Sequence, residues 1–182
     1  MPIRVDFLPD CSHGLPGRVG LTFAPGKRDG VRWARDLATD LDRLRDHYRT
    51  DVLVSLMEDF EYEMLQIGNL VPDATARGIR VRRFPIVDGY PPHDGEMDAF
   101  LELIREIEQA AEGGKVVVIH CRGGLGRAGT VAAAFLVLRG HTPPEAIAAV
   151  RATRSLRAVE THAQEGWVAR VALEARTERD PY

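Results

Sequence analysis

Lysine is nearly missing from this chain of 182 residues: only Lys27 and Lys115 occur among its 24 basic residues. The shortage is read as a coding bias, with arginine in lysine's place. Nor is there a surplus of either charge sign. The net charge is −3, which gives no reason to expect a nucleic-acid or membrane partner. Cysteine is as scarce as lysine. Cys11 and Cys121 are too few for a disulfide framework and point to a reducing cytoplasm. No apolar run approaches the ~18 residues that span a membrane, and the opening MPIRVDFLPD does not resemble a cleavable signal. Internal repeats and low-complexity tracts are absent too. What remains, at 45% hydrophobic and 28% charged, is an ordinary globular composition. One domain over 1–182 is expected, with its core at about 3–176 and the final TERDPY frayed.

The chain alternates strand and helix patterns. Ile3–Phe7 and Val19–Phe23 read as strands, with a turn-rich loop from Pro9 to Gly17 between them. Lys27 and Arg28 fall in a loop that reads as solvated. Residues 31–48 carry Ala34, Leu37, Leu41, Leu44 and Tyr48 at helical spacing. Asp51–Leu56 reads as a buried strand, and Met57–Glu63 starts a short acidic helix whose acids suit the helix dipole. Pro72–Arg77 reads as another short helix and Ile79–Ile86 as a strand whose pairing ends at Pro85. A helix with Met97, Phe100, Leu101, Ile104 and Ile107 on one face stops at Gly113-Gly114. Thr142-Pro143-Pro144-Glu145 is a capping box with Pro at the first helical position, and a last helix spans about Glu160 to Arg176. This order predicts an α/β domain with a central, mainly parallel sheet flanked by helices.

One stretch organises the rest, Val116–Thr130, or VVVIHCRGGLGRAGT. Val116–Ile119 is too β-branched for a helix start and reads as a buried strand. Next come His120 and Cys121, then five residues of which three are glycine. Arg127 follows, before an apolar run at helical spacing (Val131, Ala134, Phe135, Leu138). Glycines let successive backbone N–H groups point inward, since no Cβ blocks the approach. The next helix turns its N-terminus to the same spot. Both effects favour an anion, either a bound phosphate or a thiolate at Cys121. Arg127 adds a planar fork able to grip two phosphate oxygens. Such a site suits attack on a phosphate ester by sulfur.

Other readings of the loop fare worse. Gly124-Leu125-Gly126-Arg127-Ala128-Gly129 fits G-x-G-x-x-G, but no second strand ending in an acidic residue follows about twenty residues on. A Walker loop would need a Lys-Ser/Thr pair after the glycines. A buried cysteine on a plain connection would leave the His, Arg and glycine spacing as coincidence.

His120-Cys121-x5-Arg127, in the form HCRGGLGR, resembles the signature of the cysteine-dependent tyrosine and dual-specificity phosphatases, and within them the kinase-associated branch. The likeness runs from about Leu8 to Val171. It implies a phosphatase-type α/β sandwich with the phosphate loop between a strand and a helix. Cys121 would be the nucleophile, and Arg122, Gly123, Gly124, Leu125, Gly126, Arg127 and Ala128 would hold the phosphate. The substrate would be a phosphorylated protein or peptide, and no cofactor or metal is implied. Cleavage needs a proton for the leaving oxygen. Asp88, in Pro85-Ile86-Val87-Asp88-Gly89, matches the family's general acid, with Asp94 as runner-up; Tyr90 and His93 lie beside it. Gln164 resembles a glutamine that some relatives place near the attacking water, though a polar helix residue reads the same way. One departure is Ala128. Relatives usually carry Ser or Thr there to help the thiolate leave, so a phospho-binding adaptor with weak turnover stays open. A sulfurtransferase, an arsenate reductase or a phosphoinositide phosphatase would share the anion loop. With no long extra element to build a deep phosphotyrosine slot, dual specificity is expected.

Overall fold

The β-branched run before the glycines becomes the middle strand of a five-stranded sheet. The computed structural model describes residues 2–30 and 33–179. Its strands are β1 (Asp6–Phe7), β2 (Arg18–Phe23), β3 (Val52–Ser55), β4 (Arg80–Arg83) and β5 (Val116–Cys121), in the spatial order β1-β2-β5-β3-β4. Only β1 pairs antiparallel; the other four strands are parallel, as the alternating pattern predicts. Parallel sheets are covered on both faces, so their strands are apolar throughout rather than alternating. Val117 and Ile119 of β5 enter one core and Val118 the other.

The helices are α1 (Asp10–His13), α2 (Leu37–Asp46), α3 (Asp59–Met64), α4 (Leu70–Ala76), α5 (Met97–Glu112), α6 (Gly126–Leu138), α7 (Pro143–Thr153) and α8 (His162–Arg179). Side chains from α5, α6, α7 and α8 form the core on one face, among them Phe100, Phe135, Val150 and Trp167. On the other face Leu41, Leu44, Tyr62 and Leu70 from α2, α3 and α4 close over the sheet. Helix α6 is buried from Gly126 to Val137, which explains why its sequence is apolar all round instead of striped. Among the described residues no helix is long and apolar enough to cross a membrane.

Several boundaries differ from the sequence expectation. The helix expected over 31–48 starts at Leu37, where Asp36 caps it by accepting from the Thr39 amide at 2.7 Å. Its expected first residues, Val31 and Arg32, lie outside the described residues. Of Ile3–Phe7 only Asp6 and Phe7 pair in the sheet, although Ile3 and Val5 are buried. The Pro9–Gly17 loop contains α1, closed by Gly14 at φ +67°. Helix α8 continues through Arg179, into the tail expected to fray; Asp180, Pro181 and Tyr182 lie outside the described residues. The capping box at Thr142 and Glu145 is present. Beyond β4 the chain stays stitched to the end of β3. Phe84 N–H donates to Ser55 O at 2.9 Å and Ile86 N–H to Leu56 O at 3.1 Å. This carries the next loop to the carboxyl end of the sheet, where open α/β sheets bind their ligands.

Candidate active site

Strand β5 ends on Cys121, whose thiol is buried, with the residue only 2% exposed. The chain then turns through Arg122–Leu125 and enters α6 at Gly126. Gly124 adopts φ +70° and donates its N–H to Cys121 Sγ at 3.2 Å. A Cβ on Gly124 would lie 2.3 Å from the Thr22 carbonyl oxygen, and one on Gly126 would lie 2.5 Å from Glu160 Oε2. Gly124 therefore needs glycine both for room against the backbone and for its backbone angle, whereas at Gly126 the nearest atom is the movable end of an exposed side chain. The side chain of Arg122 is exposed, Leu125 is half-buried, and Gly126 and Ala128 are buried. The result is a cup of backbone between the end of the central strand and the start of the most buried helix.

Arg127 stands in the first turn of α6 and is 1% exposed. Its fork is met by a residue for which sequence reading gave no such role, Glu61 of α3. Arg127 Nη1 donates to Glu61 Oε2 at 2.6 Å and Nη2 to Oε1 at 2.8 Å. Nη1 also reaches the Ile86 carbonyl at 3.0 Å and the Leu56 carbonyl at 3.3 Å. Glu61 is itself oriented by the capping box of α3, its Oε2 accepting from Glu58 N–H at 2.9 Å. Burial pushes the Glu61 carboxyl up, but the Arg127 bonds and the Glu58 amide outweigh it and hold it below its ordinary value. Burial works against the Arg127 guanidinium, and Glu61 with Cys121 more than offsets it, so its affinity for the proton rises. Arg127 Nε is buried with no hydrogen-bond partner.

The two candidate acids separate clearly. Asp88 Oδ1 lies 2.9 Å from Arg127 Nη2, and its side chain is 54% exposed. Asp94 sits on a 3-10 turn (Asp94–Glu96) and pairs instead with Arg170 of α8. Tyr90 and His93 line a groove of about 810 Å³ together with Glu58, Pro85, Val87 and Pro92, and no residue of the phosphate loop lines it. Gln164 is buried and spans three segments. Its Oε1 accepts from Glu160 N–H at 2.9 Å and Thr161 N–H at 3.3 Å, and its Nε2 points to the Tyr90 carbonyl at 3.4 Å. Thr161 Oγ1 donates to the Gly89 carbonyl at 3.2 Å. The residues just after Asp88 are thus fastened to the start of α8.

Burial also decides three other residues. Both ring nitrogens of His120 are buried without a hydrogen-bond partner. Burial lowers this imidazole to about 4, against a smaller raising influence of the Cys121 backbone, so it is neutral. Lys27 is not the solvated residue its loop suggested. It is 7% exposed, lies 4.3 Å from the Trp33 ring centre and 4.9 Å from that of Phe23, and donates to the Arg122 carbonyl at 3.3 Å. The Thr130 hydroxyl donates back to the Gly126 carbonyl at 2.9 Å within α6. Cys11 is exposed, and both cysteines are free thiols.

Residues 39–168 match the family described as a Swiss Army Knife protein, DSP-PTPase phosphatase domain. The pig protein named cyclin-dependent kinase inhibitor 3 is 30% identical over 170 residues, covering 92% of this chain and 77% of that one. The crystal structure of kinase associated phosphatase, carrying serine for its catalytic-site cysteine, superposes with a TM-score of 0.89 at 23% identity over 97% of each chain. Tk-PTP in its active form gives 0.71 at 31% identity, covering 93% of this chain and 96% of that one.

Proposed function

This chain belongs to the cysteine-based protein tyrosine and dual-specificity phosphatases, and from that membership we propose that it cleaves phosphoproteins through a phosphocysteine on Cys121. The observation that carries the reading is the meeting at Arg127. One guanidinium, on the residue that follows the glycine loop, meets both the buried Glu61 and the side chain of Asp88. In the first step Cys121 Sγ attacks phosphorus, the bond to the leaving oxygen breaks, and Asp88 donates its proton to that oxygen. Arg127 and the loop N–H groups of residues 122–128 bind the phosphoryl oxygens, where charge develops in transfer. In the second step water attacks phosphorus, the P–S bond breaks, and Asp88 takes the water's proton. Gln164 acts by tying the Asp88 loop to α8.

The substrates are phosphotyrosine and, beyond it, phosphoserine and phosphothreonine in proteins. The relatives named for kinases support a protein substrate. The two free cysteines support a reducing cytoplasm. One observation favours a second reading, a phospho-binding adaptor with slow turnover. Ala128 has no hydroxyl, and the Thr130 hydroxyl is already spent within the helix. Assay of Cys121→Ser against a phosphopeptide panel tests the proposal. The variant should lose turnover and keep peptide binding. Wild-type rates in Cys121→Ser would end the phosphocysteine reading, and a wild type that binds without turnover would favour the adaptor.

A further inference from the structure

In a trans peptide the C=O and N–H of one unit point in opposite directions, and the described residues contain no cis bond. Whatever grips a carbonyl on the outside of the phosphate loop therefore aims the next N–H inward. Three successive loop carbonyls are gripped this way. Lys27 Nζ donates to the Arg122 carbonyl at 3.3 Å, joined by the Ala24 N–H at 3.4 Å. Arg154, the C-cap residue of α7, donates from Nη2 to the Gly123 carbonyl at 3.2 Å and from Nε to the Gly124 carbonyl at 3.0 Å. The opposed N–H groups belong to Gly123, Gly124 and Leu125. For the middle unit the consequence is visible, because the Gly124 N–H meets Cys121 Sγ at 3.2 Å.

Both cations are themselves fixed. Arg154 Nη1 is held by Asp6 Oδ2 at 2.6 Å, with each side chain 12% exposed. Lys27 is enclosed by Phe23 and Trp33. A loop this rich in glycine has little side-chain packing to fix its peptide planes, so the planes must be set from outside. Resting on the phosphatase reading above, we propose that Lys27 and Arg154 are positioning residues that set the oxyanion-binding amides of the phosphate loop by holding the carbonyls behind them. They touch neither substrate nor reacting atoms. They act through three peptide planes.

The test uses tungstate, a tetrahedral oxyanion, titrated by calorimetry into the full chain and its variants, alongside thermal unfolding and turnover of a chromogenic aryl phosphate. Arg154→Met frees two carbonyls and should weaken tungstate by about tenfold or more, with kcat falling along with affinity. Lys27→Met frees one and should fall in the same direction by less. Arg154→Lys keeps the charge but can serve only one carbonyl, so it should lie between wild type and Arg154→Met. Arg157→Met removes an exposed charge from the next loop and should change nothing. Tungstate affinity within twofold of wild type in a folded Arg154→Met would overturn the inference. So would wild-type behaviour of Arg154→Lys beside a defective Arg154→Met, since charge alone would then explain the effect. Should Arg154→Met fail to fold, Lys27→Met and Arg154→Lys decide by the same twofold criterion. A wild type that neither binds tungstate nor turns over the ester would instead refute the phosphatase reading itself.

Discussion

Glu61→Gln is the sharpest probe of the buried fork. The substitution keeps the volume, so no cavity opens, but it removes the charge and turns an N–H₂ toward a guanidinium that has no acceptor. Breaking a buried ion pair by altering one partner costs about 3–5 kcal/mol. Arg127 would keep the Ile86 and Leu56 carbonyls and its contact to Asp88. The lower end, about 3 kcal/mol, is therefore expected. For a chain of this length each kcal/mol moves the melting temperature by about 2–4 °C, so Tm should drop by about 6–12 °C. Turnover should fall as well, because the guanidinium proposed to bind the phosphoryl group loses the carboxylate that orients it. Melting curves at pH 7 for wild type and Glu61→Gln, with kcat/KM on an aryl phosphate, provide the assay. The pH dependence has a definite sign. The Glu61 carboxyl is held below its ordinary value, so its stabilisation is present above about pH 4.5 and lost as pH falls through the folded value. A Glu61→Gln protein that melts within 1 °C of wild type and keeps full activity would refute the argument that Glu61 holds Arg127.

Asp88→Asn should slow a phosphopeptide by about 10²–10⁴-fold and a highly activated ester far less, while Asp94→Asn, whose carboxylate pairs with Arg170, should not show that leaving-group dependence. The reverse pattern in steady-state rates would mean the wrong carboxylate has been named. Arg127→Lys keeps one charge but cannot span both Glu61 oxygens and a phosphate, so it should lose most activity; near-normal rates would show that charge alone suffices. His120, held at about 4 against 6.5 when unfolded, contributes stability that is full above pH 6.5. That contribution erodes as pH falls and is gone below about 4, a total of about 3 kcal/mol. In His120→Met the decline in urea-unfolding stability between pH 6.5 and 4 should be shallower, and parallel slopes would show that His120 does not titrate as described.

What the sequence displayed and what it hid differ by range. Val116–Thr130 carries strand, loop and helix signals within fifteen consecutive residues, so the loop and the middle strand were legible together. Asp88 stands out in the sequence by its likeness to the family's acid, while its contact with Arg127 is an outcome of the β3 stitching at Phe84 and Ile86. Glu61 was not legible in its role. An acid in the first turn of a helix is what the dipole favours, and only the fold brings it 66 positions along the chain to Arg127. Lys27 was misread for a related reason. Its loop is polar and turn-rich, but Trp33 folds back over the ammonium, a tertiary choice with no local signal. The late start of α2 has the same origin, since residues before Asp36 serve that enclosure and the bridge between Arg28 and Ala34 instead of helical hydrogen bonds.

The ties that complete the site reach both early and late parts of the chain: Asp6 to Arg154, Gly89 to Thr161, Tyr90 to Gln164. A ribosome delivers these residues in order, so the thiol and its glycine loop emerge before the arginine that braces them and before the helix that moors the acid loop. During synthesis there is an interval in which Cys121 exists without its full enclosure, a sulfhydryl at the end of β5 with α8 not yet made. Until the last helix arrives, the Gly89 and Tyr90 carbonyls lack their partners. A chain cut after α7 would keep every residue of the signature and lose the ties that moor the acid loop, so α8 is the last anchor of the site to be made.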